Sequence, residues 1–276
     1  MHSYTGSFYR RTQVYKKFGF QTFKNTEGTG KNKLTYNKKI QKSDLIGDDQ
    51  AYDQVMSQLN AQQSGQFISL VTMQNHLPFT DKYYHYNYRA NGKAAKYNKT
   101  EINHYIEGIH LTDEFTKTFL DKLDKINRPI TVLWYGDHLA GLYSGDDINK
   151  YYIPLHETDY FIYSNKYARE HGYSYGKQTK HTQVISPNVF TALALRQMNQ
   201  KVSPYYALIT NVADKLPATA MDNEESADGL MVNKNSQRVS SSKLTASQKR
   251  LLNDYKLIQY DLVAGKQYVK DLHFMK

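Results

Sequence analysis

Two short runs of β-branched and aromatic residues constrain this chain most. Phe67-Ile-Ser-Leu-Val-Thr-Met73 lies between Gly65 and the break Asn75-His76-Leu77-Pro78, and Ile130-Thr-Val-Leu-Trp-Tyr135 is closed by Gly136. Continuous runs of this length between turn signals read as strands buried on both faces. Helical spacing separates them. Val55, Met56 and Leu59 recur along 48–63, which stops before Gly65. Ile102, Ile106, Ile109, Phe119, Leu123 and Ile126 follow a capping-box match at Asn98 and Glu101, as one helix or two in series, ended by Arg128-Pro129. A third strand is expected from Asp159 to Ser164 after Pro154, and Ser186-Pro187 opens a helix to about Asn199. This alternation predicts an α/β domain over residues 1–200, a mostly parallel sheet sandwiched by helices.

The rhythm changes after residue 200. Residues 219–243 are polar and read as an exposed loop. Thr245 with Gln248 is a second capping-box match opening a short helix, and Tyr255-Lys-Leu-Ile-Gln-Tyr-Asp261 reads as a strand turning at Gly265. Residues 201–276 are therefore expected to form a small α+β subdomain. At the other end, 7–23 reads as a short basic helix around Val14, Tyr15 and Phe18 stopped by Gly19, 24–47 as a Lys-rich loop, and 80–97 as a Tyr-rich surface loop.

Composition narrows the partners. Thirty-six Lys and Arg against 26 Asp and Glu leave a net charge of +10, which calls for an anionic neighbour. The basic residues are spread along the chain and match no nucleic-acid-binding motif, so nucleic acid is not expected. The absence of Cys excludes disulfides, Cys-ligated zinc and thiol catalysis. No apolar run approaches the roughly 18–20 residues that span a bilayer, and no signal peptide opens the sequence.

Three places hold residues suited to chemistry. In Leu133-Trp-Tyr-Gly136-Asp137-His138, the carboxylate and imidazole emerge past a strand end, where ligands bind in parallel α/β sheets. Such a pair suits Mn²⁺ or Zn²⁺; it also suits an Asp that caps the next turn beside a satisfied His. His76 lies past the other strand end, as a second site residue or a structural His before Pro78. In His2-Ser-Tyr-Thr-Gly-Ser-Phe8-Tyr9-Arg10-Arg11, an Arg fork could grip phosphate with Tyr as a wall, or the stretch could be a solvated basic face.

Taken together these segments resemble the lipoteichoic acid synthase family. Gly6-Ser-Phe-Tyr-Arg-Arg11 with Val14-Tyr15 and Gly19-Phe20 is similar to its phosphate-binding segment, Val71-Thr-Met-Gln-Asn-His76-Leu-Pro-Phe79 to its Thr-x-x-x-His-x-Pro-Phe strand end, and Tyr135-Gly-Asp137-His138 to its metal-binding Gly-Asp-His. Leu251 to Lys266 is similar to the family's C-terminal subdomain. The matches fall in order and cover essentially the whole chain.

The resemblance implies a sulfatase-like fold of the alkaline phosphatase superfamily on the outer face of a Gram-positive cell membrane. It implies Mn²⁺, with Mg²⁺ and Zn²⁺ as alternatives, and transfer of glycerol phosphate from phosphatidylglycerol to a lipoteichoic-acid-type polymer through a phospho-threonine. Asp137 and His138 would bind metal, while Arg11, His76 and Tyr9 would hold the substrate. Tyr9 stands where the family usually has Trp, Tyr4 where it has an acidic residue, and Thr12 where Asp commonly follows the Arg. The family's nucleophilic Thr, a further acidic ligand and the membrane helices lie upstream of the Arg segment. The expectation is therefore a C-terminal portion of the enzyme with an incomplete metal site and no nucleophile, inactive alone and prone to self-association through an exposed sheet edge. Phosphoethanolamine transfer, sulfate ester hydrolysis and a non-catalytic module binding an anionic wall polymer are the alternatives.

Overall fold

The computed structural model describes residues 1–61, 65–92, 98–143, 145–176, 184–220 and 229–276. It divides into two compact units, Met1–Lys122 with Ala140–Ser144, and Leu123–Leu139 with Gly145–Lys276.

In the first unit, helix α1 spans Arg11–Lys17, α2 Asp48–Ala61 and most of α3 Lys99–Leu123. Asp48 and Asp49 in the first turn suit the positive end of α2. That helix buries Ala51, Tyr52, Val55 and Leu59, and the Tyr52 ring stacks on Phe119 of α3 at 4.6 Å. The helical run behind Asn98 is one continuous helix. Gly108 interrupts its propensity for a packing reason: a Cβ there would meet Asn75 Oδ1 at 2.3 Å and the Tyr83 hydroxyl at 2.8 Å. Gln74 Nε2 donates to the Gly108 carbonyl and Asn75 Nδ2 to Thr112 Oγ1, so the segment ahead of His76 is docked along α3.

Residues 67–73 make one parallel bridge, Val71 to His2, in place of the expected ladder. Phe67 is 82% exposed while Met73 is buried. A β-branched run specifies extended backbone; pairing partners are a tertiary matter. The expected surface loop at 80–97 is also only partly one. Lys82 and Tyr83 are buried, and 93–97 lie outside the described residues.

In the second unit, β1 (Thr131–Tyr135) pairs antiparallel with β2 (Tyr160–Ser164), from Thr131 opposite Ser164 to Tyr135 opposite Tyr160. Both strands stand where the sequence places them; the described strands pair antiparallel, and the parallel pairings among the described residues are the isolated bridges His2–Val71 and Asn25–Lys33. Fully buried Asn165 sets the start of β1. Its Nδ2 donates to the carbonyls of Leu123, Ile126 and Arg128, and its Oδ1 accepts from the Ile130 and Ala168 amides.

Short helices α4 (Tyr152–Leu155) and α5 (Lys166–Glu170) flank β2. Helices α6 (Phe190–Gln197) and α7 (Pro204–Lys215) close a core of Val189, Ala192, Leu193, Ile209 and Val212. The segment expected as an exposed loop at 219–243 instead carries a small antiparallel sheet, β3 (Ala218–Ala220), β4 (Leu230–Val232) and β5 (Arg238–Val239), with all three β4 residues buried; 221–228 lie outside the described residues.

The expected strand at Tyr255–Asp261 is a correction. It belongs to helix α8, Ala246–Val263, which is followed by α9, Tyr268–Asp271. The Thr245–Gln248 capping box forms both of its bonds, and Leu252 and Tyr255 then pack inward at helical spacing. Nucleation at that cap and a 3.6-residue period outweigh the local β-branched and aromatic content.

Candidate functional site

The N-terminal segment turns sharply at residues 7–10. The Ser7 amide and hydroxyl both donate to the Glu27 carboxylate, at 2.9 and 3.0 Å, holding that carboxyl below its usual range. Tyr9 and Arg10 then take left-handed backbone angles, φ 53° and 56°. Such angles cost a non-glycine residue roughly 1–2 kcal/mol, and strain of this kind gathers at functional sites. Its effect here is to leave Tyr9 74% exposed with its ring 5.3 Å from the Arg11 guanidinium.

Arg11 opens α1. Its Nη1 donates to His2 Nε2 at 3.4 Å, and the guanidinium lies 5.8 Å from the Phe8 ring. None of the ion pairs among the described residues involves Arg11. His2 is fully buried, a residue with no signal of its own in the sequence. Its other nitrogen, Nδ1, donates to the Thr5 carbonyl at 3.2 Å, which leaves Nε2 as the acceptor. Burial first, and the Arg11 charge second, lower its pKa to about 4, so the ring is neutral at physiological pH. Arg11 thus rests on an uncharged support that does not neutralise its charge.

His76 reaches the same cluster. Its ring meets Phe8 edge-on at 6.1 Å, and Phe8 also stacks against His2 at 6.3 Å. His76 Nδ1 donates to the Leu77 carbonyl at 2.8 Å, leaving Nε2 open. The structure therefore brings Arg11, Tyr9 and His76 together around Phe8, a residue the sequence did not single out.

Asp137 and His138 lie in the other unit, just past the end of β1. Asp137 Oδ2 is 3.8 Å from His138 Nε2, and the side chains are 78% and 74% exposed. His138 Nδ1 donates to the Leu139 carbonyl at 2.8 Å, and Asp137 Oδ1 accepts from the His138 amide. With Nδ1 committed, the lone pair of Nε2 and the second carboxylate oxygen are what remain for a cation. That tautomer is the one metal-binding His residues adopt, and an O/N pair suits Mn²⁺ or Zn²⁺. The two residues fit as part of a metal set. Among the described residues no cluster of three or more His, Cys, Asp or Glu could hold an ion, and a catalytic metal commonly takes three protein ligands.

Comparison with known proteins adds the following. A family model described as Sulfatase matches residues 1–200. The solved Streptococcus pyogenes phosphoglycerol transferase GacH, in complex with sn-glycerol-1-phosphate, is 33% identical with a TM-score of 0.78, covering 100% of this chain and 64% of that one. Lipoteichoic acid synthase LtaP from Listeria monocytogenes shares the fold at a TM-score of 0.60 and 15% identity, covering 98% of this chain and 69% of its own. A Rhizobium meliloti (strain 1021) protein named for cyclic β-1,2-glucan modification is 24% identical over 290 residues, covering 99% of this chain and 42% of that protein. The chain thus spans about two fifths of that relative and under two thirds of GacH.

Proposed function

Because the chain belongs to the sulfatase family, we propose that it is the substrate-gripping and part of the metal-binding portion of a phosphoglycerol transferase. The family's α/β fold and enzymatic character are common ground with GacH and LtaP. The specific reading is transfer of glycerol phosphate from a phosphatidylglycerol head group to a polymer at the outer face of a membrane. A glycerol-phosphate polymer of the lipoteichoic type is the acceptor expected from the motifs; a glycan is the second reading, favoured by the relative named for cyclic β-1,2-glucan modification. Among the described residues no helix is long and apolar enough to cross a membrane.

One observation carries the reading: Arg11 is backed by a neutral His2, walled by Tyr9 and Phe8, and lies in one cluster with His76. In this reading the guanidinium donates two parallel hydrogen bonds to phosphate oxygens and offsets charge that grows on them during transfer. His76 Nε2 bonds a glycerol hydroxyl or a phosphate oxygen. Tyr9 and Phe8 flank the guanidinium as aromatic walls. Asp137 and His138 would supply two ligands to a divalent ion, Mn²⁺ by resemblance, whose chemistry when bound would be that of a Lewis acid.

The test is titration of sn-glycerol-1-phosphate into the chain and into Arg11→Ala. A charge-assisted pair is worth roughly 1.5–3 kcal/mol, so the variant should bind about ten- to a hundredfold more weakly. Equal affinity would return Arg11 to an ordinary basic surface.

A further inference from the structure

Lys82 is 4% exposed, although it lies in a segment that reads as surface loop. Its ammonium donates to the Gln74 carbonyl at 3.2 Å and to the His76 carbonyl, and lies 5.2 Å from the Phe79 ring. None of the ion pairs among the described residues includes it; the nearby Asp81 carboxylate is engaged by Lys42 at 3.0 Å. A buried cation without a carboxylate partner is costly, and burial lowers its pKa to about 8. What the charge holds is specific. Gln74 and His76 flank Asn75 in the turn that leaves the β-branched run, and the His76 amide closes that turn on the Met73 carbonyl at 3.0 Å. The far side of the turn is tied to α3 through Gln74 and Asn75. The one hydrogen bond of the His76 ring among the described residues is to the Leu77 carbonyl, beside its edge contact with Phe8, so the direction of Nε2 depends on the backbone that Lys82 clamps.

We propose that Lys82 is a positioning residue for His76, its ammonium locking the two carbonyls of the Gln74–His76 turn so that the imidazole faces the Arg11 cluster. The proposal rests on the reading of His76 as a glycerol-phosphate contact, and it predicts energetic coupling between two residues whose functional groups do different things. A leucine or methionine at position 82 would fill the volume and leave both carbonyls unsatisfied. A surface role for Lys82 would predict no coupling at all.

The experiment is a double-mutant cycle on sn-glycerol-1-phosphate affinity with Lys82→Met, His76→Ala and the double variant, together with the NMR ring signals of His76 and His2. Lys82→Met should weaken binding about tenfold, and the double variant should bind no more weakly than His76→Ala. The His76 ring signal should move in Lys82→Met while the His2 signal stays, because a general loosening would shift both. Lys82→Arg, which keeps the charge, should hold affinity within about threefold of the parent chain. Additive losses, or an unmoved His76 signal, would overturn the proposal. Should Lys82→Met fail to fold, Lys82→Leu takes its place, with no donor for either carbonyl; unchanged affinity there overturns it equally. If the unmodified chain binds no glycerol phosphate, the phosphoglycerol reading fails, and the His76 ring signal alone then decides the role of Lys82.

Discussion

Arg11 donates from Nη1 to Nε2 of His2 at 3.4 Å, so a permanently charged guanidinium is held by an imidazole that burial keeps neutral. A carboxylate in the place of His2 would hold Arg11 more tightly and also neutralise it. The neutral partner orients the fork and leaves its charge unneutralised.

Replacing Arg11 by Lys should recover only part of the glycerol-phosphate affinity lost in Arg11→Ala. A point charge on a flexible stem neither matches two phosphate oxygens nor reaches His2 in the same geometry. Calorimetric titration of the three proteins checks this, and full recovery in Arg11→Lys would mean that charge alone acts there.

Two buried groups should shape the acid limb of stability in opposite senses. The His2 pKa is lowered from 6.5 to about 4, so the folded state resists the proton and stability falls as pH drops from about 6.5 through 4. Burial raises the Asp48 carboxyl from 3.8 to about 6, although Thr112 donates to it at 2.7 Å; its penalty is present above pH 6 and is relieved as pH falls toward 3.8. Asp48→Asn should therefore stabilise the protein at pH 7 by up to about 3 kcal/mol and by almost nothing near pH 4. Melting temperature measured against pH in both proteins tests the sign; an Asp48→Asn chain less stable at pH 7 would contradict it.

Asp137→Ala and His138→Ala should each abolish measurable Mn²⁺ binding while leaving the fold intact. Both side chains are about three-quarters exposed, and surface changes usually fall within about 0.5 kcal/mol. Titration with Mn²⁺ by water-proton relaxation, beside thermal melts, separates the two effects. Binding that survives in both variants would move the metal set elsewhere.

Gly108→Ala pits two effects against each other. Helix propensity favours Ala by up to about 1 kcal/mol, but the new Cβ would sit 2.3 Å from Asn75 Oδ1 and 2.8 Å from the Tyr83 hydroxyl. Overpacking typically costs about 1–3 kcal/mol, so the net change should be destabilising. Denaturant midpoints decide it, and the His76 ring signal should shift as Asn75 is displaced.

Much of this site is legible in the chain order of short motifs, because strand ends and turns are local events. Gly136 after Tyr135 places Asp137 past β1, and Pro78 confines the turn that carries His76. Thr245 and Gln248 announce the start of α8 through a cap that involves four consecutive residues. Local signals misled where two periods compete, as at Tyr255–Asp261, which is helical because α8 is already nucleated when it reaches them.

The residues invisible in the sequence act through distance. His2 reads as a terminal polar residue, and only the fold, through the Val71 bridge and the rings of Tyr4 and Phe8, buries it, which with the Arg11 charge drives its pKa down. Lys82 reads as one more cation in a polar loop, and only the fold brings its ammonium onto two carbonyls six and eight residues earlier. By itself the sequence determined which side chains are candidates for chemistry and which turns present them, since those follow from residue type and neighbours. Tertiary structure decided which are desolvated, which are charged and which are held, because dielectric and hydrogen-bond partners belong to the packed chain and not to any stretch of it.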